Sequence, residues 1–275
     1  MTSESEPLVE SPLMDSLATP ADPAAPVPVV LAPRPPRIWK FWGTTLWGLL
    51  IVAAMFVGQL AVMAWLLWQE GSIDRATVVR VASSGMTISL SVIMGLPATL
   101  AALWIAIRVS RTPFADYLAL RRTSWANLLM GIIAMVFLVM GWEAISLVTG
   151  SEDSSGFMVR VLQSARSDGA LWLLVIAFCV AAPITEEFLV RGFLYRGWSE
   201  SFLRPTGAIV LSALAWTALH LQYDRDWLPF GEVFSIGLLL GYLRHRSNSI
   251  WLTVILHGLN NLAAVVQTIW LAGSS

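Results

Sequence analysis

A single cysteine, Cys179, stands in 275 residues, so no disulfide can close within the chain and no cysteine cage can hold a metal. Cys179 itself lies in an apolar run and reads as a small buried hydrophobe. Charge is equally scarce. Asp, Glu, Lys and Arg make up 13% of the residues against 56% hydrophobic ones, too few to cover an ordinary soluble domain. No long basic stretch occurs, which sets nucleic acid aside as a partner, and the formal net charge of -1 points to no other. The start of the chain lacks a basic segment followed at once by an apolar core, so a cleavable secretory signal is not expected. Neither a solenoid repeat nor an inverted pair of broken helices is present, which argues against many transporter architectures.

What is abundant falls into blocks. Mean hydropathy is +0.69, and 14 Trp residues accompany long apolar runs. The fold class this predicts is an all-α integral membrane protein. Residues 1–40 form a separate region, rich in Pro, Ala, Ser and Glu as far as Pro36 and too poor in apolar surface to fold alone; a disordered cytoplasmic tail is expected. Residues 41–275 form the membrane domain. About seven spans of near ~20 residues are expected there, at 44–68, 81–107, 125–148, 171–198, 206–221, 230–243 and 250–271, the fifth and sixth being short.

Basic residues in the connections orient the chain. With the tail inside, Arg34, Arg37, Lys40, Arg108, Arg111, Arg121, Arg122, Arg196, Arg204, Arg244 and Arg246 gather on the cytoplasmic side, against Arg75, Arg80, Arg160, Arg166 and Arg225 opposite. The expectation is a multi-pass protein of a bacterial plasma membrane, N-terminus cytoplasmic and C-terminus outside, with the lipid bilayer as its surroundings. Tryptophans fall at both predicted boundaries, as an aromatic belt does. Two connections, Pro113–Arg122 and Phe157–Leu162, carry apolar residues at helical spacing and read either as surface helices or as ordinary short loops.

One stretch breaks the apolar pattern. Glu186, Glu187 and Arg191 lie inside the run that begins at Leu171, and an ionisable group at membrane depth costs several kcal/mol unless it has a partner or a task. Glu187 and Arg191 are four apart and share a helix face, whereas Glu186 is turned by about 100° from Glu187. One acid is therefore neutralised locally and the other must look to another helix. His220 and His257 occupy the fifth and seventh spans, and Asn261 follows His257 by one turn. At ~1.5 Å per residue, Glu186 lies ~22 Å inward from Leu171, and His220 ~21 Å outward from Thr206. His257 and Asn261 lie ~10 and ~16 Å outward from Ile250 by the same rise. A polar cavity shared by spans four, five and seven is thus geometrically allowed.

Such an inventory suits amide hydrolysis without a covalent intermediate. A desolvated Glu takes a proton from water, an imidazole orients it, and a second imidazole with an amide supplies donors to the oxyanion. The same Glu186, His220 and His257 could instead ligate one divalent ion such as zinc. A salt-bridge cluster of purely structural use is the plain alternative, and a proton relay in a transporter is a third. His245, between Arg244 and Arg246, reads as solvated, and Glu143 as an interfacial acid.

The order Glu186-Glu187-x-x-x-Arg191, Trp216-x-x-x-His220 and His257-x-x-x-Asn261 resembles the CAAX prenyl protease type II and bacteriocin-processing family of intramembrane proteases. The segment Gly237–Leu243 with Ser249-Ile250-Trp251 is similar to the one those proteins carry before their last motif. The likeness covers 171–262, about a third of the chain. It implies an intramembrane endopeptidase acting on membrane peptides or proteins, with Glu186 and His220 activating water, Glu187 and Arg191 holding the site, and His257 with Asn261 binding the oxyanion. Members of that family also act as immunity proteins, so a non-catalytic adaptor of the same fold is the rival expectation. Trp216 stands where the family usually has Phe; the larger ring is expected to narrow the cavity while removing no chemical group. The sequence names neither the substrate, the need for metal nor the oligomeric state.

Overall fold

The computed structural model describes residues 36–150, 156–220 and 227–274. The predicted tail lies almost wholly outside them. Every described element is helical, as backbone buried in lipid must satisfy its own hydrogen bonds. The helices are α1 (Phe41–Glu70), α2 (Arg75–Ser83), α3 (Gly85–Ser110), α4 (Phe114–Leu118), α5 (Trp125–Thr149) and α6 (Gly156–Ser167). They continue as α7 (Leu171–Ser199), α8 (Arg204–Ala218), α9 (Trp227–Ser247) and α10 (Ile250–Ser274).

Five of these, α1, α3, α5, α7 and α10, are long and apolar enough to cross a membrane. The other two expected spans exist as helices but are marginal by the same measure. α8 has 15 residues, a rise of about 22 Å against a hydrocarbon core of about 30 Å, and α9 carries Glu232 in its first half and Arg244, His245 and Arg246 in its last turn. The second expected span is corrected at its start. Ser84 breaks the chain, its hydroxyl accepting from the Thr87 N–H to open α3, so Val81 belongs to the separate helix α2. α2 is itself capped by Asp74, whose carboxylate is held down to about 2 by hydrogen bonds from Ser72, Thr77 and Ala76.

Burial shows which helix the others surround. Only 11% of the apolar window of α1 and of α5 is buried, against 50% for α7. The outer helices turn Leu46, Leu49, Leu60, Ile133, Phe137 and Leu147 outward, faces suited to acyl chains. α7 sits at the centre, with Phe188, Leu189, Val190, Phe193 and Leu194 in the main core.

Close approaches use small residues. At Gly58 a Cβ would lie 2.9 Å from the Met94 carbonyl oxygen, so α1 and α3 touch backbone to backbone. At the end where the arginines collect, the Arg37 N–H bonds the Ser110 carbonyl at 3.0 Å and the Trp39 indole bonds that of Ala106 at 3.0 Å. The same end brings the connection before α5 to the start of α10, through Ile250 N–H to Ala119 at 3.0 Å and the Ser249 hydroxyl to Arg121 at 2.5 Å. Pro113–Arg122 therefore does not lie on a surface as a helix. Only one turn forms, and Tyr117 and Leu118 are fully buried, Tyr117 stacking on Phe193 at 5.3 Å; apolar side chains at that spacing serve the core instead. Phe157–Leu162 falls within the twelve-residue α6, whose Val161 and Leu162 are buried.

Gly197 marks where α7 meets α1. A Cβ there would overlap the Thr44 hydroxyl and the Trp39 carbonyl oxygen, whereas one at Gly141 would meet nothing within 4 Å. Gly197→Ala is expected to lower the thermal midpoint of the detergent-solubilised protein, at a cost of about 1–3 kcal/mol, and Gly141→Ala to leave it unchanged. Differential scanning fluorimetry of the two variants checks this.

Candidate functional site

α7 is not a uniform helix. Residues Ala177–Ala181 and Phe188–Leu194 adopt the wider π winding, on either side of the α-helical Ala182–Glu187. Such turns shift the register of the helix beyond them and recur at functional sites. Here they bracket the two acids. One carbonyl of the first wide stretch, Phe178, accepts a 2.8 Å hydrogen bond from the Asn261 Nδ2 of α10. One turn away, Gly258 lets α10 approach so closely that a Cβ would stand 2.7 Å from the Cys179 carbonyl oxygen. That contact delivers His257 to the acids.

Glu187 and Arg191 are both fully buried and paired at 2.7 Å through Oε1 and Nη1, as the four-residue spacing predicts. Arg191 sends its other terminal nitrogen to the Gly237 carbonyl of α9 at 3.2 Å. His257 Nδ1 lies 3.1 Å from the same Glu187 Oε1. A carboxylate can only accept, so Nδ1 carries the hydrogen and the ring's Nε2 faces the other way. In that direction stands Glu186, with Oε2 4.0 Å from Nε2. His257 thus spans the two acids.

Glu186 differs from its neighbour in access. Its side chain is 23% exposed while that of Glu187 is at 0%, and the ~100° turn between consecutive helical residues is the cause. The oxygen of Glu186 nearest His257 also accepts the indole N–H of Trp216 at 2.5 Å. Trp216 packs edge-on against His257 at 5.3 Å and His220 at 4.8 Å, with the Arg191 guanidinium 4.5 Å over its ring. His220 lies just beyond α8, its Nδ1 2.9 Å from the Trp216 carbonyl oxygen; that nitrogen is therefore the donor.

The six residues singled out by the sequence thus meet around α7, but in an order the sequence did not reveal. The imidazole in ion-pair range of Glu186 is His257, and the residue joining Glu186 to His220 is Trp216. Far from only enlarging a ring, Trp216 adds a donor at the acid. A buried indole N–H needs an acceptor, and an apolar helix carrying Trp one turn before His was the available signal. Among the described residues no three His, Cys, Asp or Glu side chains group as a metal site requires; one oxygen of Glu186, which such a set would need, is already given to the indole.

A cavity of about 630 Å³ opens elsewhere, at the end opposite the arginine-rich one, between Leu66, Glu70, Arg80, Arg160, Ser164 and Asp168. Its Glu70–Arg80 pair, at 2.6 Å, is exposed, and it contains none of the six residues.

Residues 168–263 match the family model described as type II CAAX prenyl endopeptidase Rce1-like. Among curated proteins, the UPF0177 protein YbdI of Lactococcus lactis subsp. lactis (strain IL1403) is 26% identical over 138 residues, 50% of this chain and 68% of that protein. An uncharacterized 24.3 kDa protein of Escherichia coli is 30% identical over 103 residues, 37% of this chain and 46% of that protein. The chain therefore spans about two thirds of the first relative and less than half of the second. No solved structure matches significantly. The matched segment holds the acid pair, His220, His257 and Asn261, and over residues 168–263 the chain is similar to the Rce1-like, type II CAAX prenyl endopeptidase family.

Proposed function

We propose that the chain is an intramembrane endopeptidase in which Glu186 activates water to hydrolyse peptide bonds of membrane-associated peptides or proteins. The observation that carries this is the division of labour between adjacent acids: Glu187 buried and paired, Glu186 partly exposed and within 4.0 Å of His257. Glu186 takes a proton from water as the oxygen forms a bond to the scissile carbonyl carbon. The proton then passes from Glu186 to the departing amine as the carbon–nitrogen bond breaks. His257, fixed by Glu187 through Nδ1, presents Nε2 beside Glu186; with a proton on Nε2 taken from solvent before the reaction and kept through it, the ring donates to the oxyanion. Asn261 spends one N–H on Phe178 and keeps its second for the same oxyanion, since an amide nitrogen carries two. His220, edge-on to Trp216 at 4.8 Å, stands beside Glu186 on the side from which water is oriented. This chemistry runs on the chain's own residues.

Glu187 and Arg191 act differently, as a buried frame. Removing one member leaves the other charged and unpaired, at about 3–5 kcal/mol. Two variants separate the roles. Arg191→Met is expected to reduce folded yield and thermal midpoint. Glu186→Gln is expected to keep the midpoint and abolish turnover. The measurement follows endogenous membrane peptides by quantitative mass spectrometry in cells carrying wild type, Glu186→Gln or His257→Ala. Fragments lost in both variants support the peptidase; an identical peptide pattern in all three, with a partner still co-purifying, replaces it with the adaptor reading.

The proposed sidedness puts the arginine-rich end, near Arg108, Arg121 and Arg244, in the cytoplasm. Ile73 is 81% exposed at the other end. In a Cys179→Ser background, a membrane-impermeant maleimide on intact cells is expected to modify Ile73→Cys and to spare Arg122→Cys. The reverse pattern inverts the topology.

A further inference from the structure

Trp216 is the most enclosed group at the site that the proposed chemistry leaves without a role. It is 3% exposed, and each side of its indole is occupied: Arg191 lies over the ring at 4.5 Å, and His220 and His257 stand edge-on at 4.8 and 5.3 Å. The neighbouring helix is equally close, since a Cβ on Gly237 would come within 3.3 Å of the ring carbon Cε3. A ring so held cannot turn without displacing a buried arginine. Its one polar atom ends on Glu186 Oε2 at 2.5 Å.

An indole nitrogen donates and never accepts, so this bond has a fixed sense and holds one chosen oxygen of Glu186. We infer that Trp216 is a positioning residue for Glu186: its N–H clamps Oε2 against His257 and leaves Oε1 as the oxygen that meets water. The clamp also selects the partner. Oε2 is shared between the indole and the His257 side of the cluster, at 2.5 and 4.0 Å, so His257 is the imidazole coupled to Glu186, while His220 packs edge-on against Trp216. Phenylalanine at this position would keep the ring against Arg191 and the imidazoles and supply no donor. The kinetic part of this inference rests on the proposed peptidase activity; the clamp itself does not.

The test has two readouts on the full chain in detergent. With Trp indoles labelled by ¹⁵N, the Trp216 N–H signal is identified by its loss in Trp216→Phe. It is expected downfield of the other indole signals and to move upfield in Glu186→Gln, where the acceptor is neutral. On the peptides identified by mass spectrometry, Trp216→Phe is expected to lower kcat about tenfold with KM unchanged, the signature of lost orientation, while the smaller ring lowers the thermal midpoint modestly. A Trp216 signal that stays put in Glu186→Gln overturns the clamp whether or not the chain cleaves peptides. Wild-type kcat in Trp216→Phe overturns its positioning role. If wild type cleaves nothing while the signal moves, the peptidase reading fails and the clamp stands.

Discussion

An arginine with no exposed surface, at the middle of a helix surrounded by apolar neighbours, is the constraint on which the site depends. Arg191 has to be neutralised, and Glu187 one turn earlier does so at 2.7 Å. The pair still leaves lone pairs and hydrogens to satisfy, and other helices meet part of that need: the Gly237 carbonyl from α9, the Trp216 ring from α8 and His257 from α10, while Glu187 Oε2 and Arg191 Nε find no hydrogen-bond partner among the described residues. Each partner gained offsets part of the cost of burying the two charges. The cluster is therefore a packing instruction as much as a chemical one, and it fixes which faces of four helices point inward.

With that frame set, the second acid acquires its character by default. Glu186 is adjacent in sequence and so turned away from Arg191. It receives an indole in place of a guanidinium and retains some exposure. Two identical side chains side by side thus end in different environments, one locked and one available, which is the arrangement that general acid–base chemistry demands of paired carboxylates.

Much of this was legible in the sequence. Helical content, the long spans and the Glu187–Arg191 pair can be read from block hydropathy and a four-residue spacing, because both are properties of one helix at a time. What escaped was cooperative. The break at Ser84 is set by a cap worth little in hydropathy. Tyr117 and Leu118 look amphipathic but are drawn into the core beside Phe193. The pairing of Glu186 with Trp216 and His257 depends on how α8 and α10 are rotated about their axes, and hydropathy carries no information on rotation when nearly every face is apolar. Gly237 and Gly258, which decide those contacts by letting backbones approach, register in sequence only as small residues.

The two π stretches of α7 give the acid pair a degree of independence. Each wide turn holds an extra residue within a helix that otherwise continues, so it is a place where one residue can be gained or lost at little topological cost. A residue gained in one stretch and lost in the other would rotate the segment between them by about 100° while the outer parts of the span kept their packing. The azimuth of Glu186 and Glu187 is thereby separable from the membrane-crossing job of α7, and the site has a phase of its own that drift in sequence can retune.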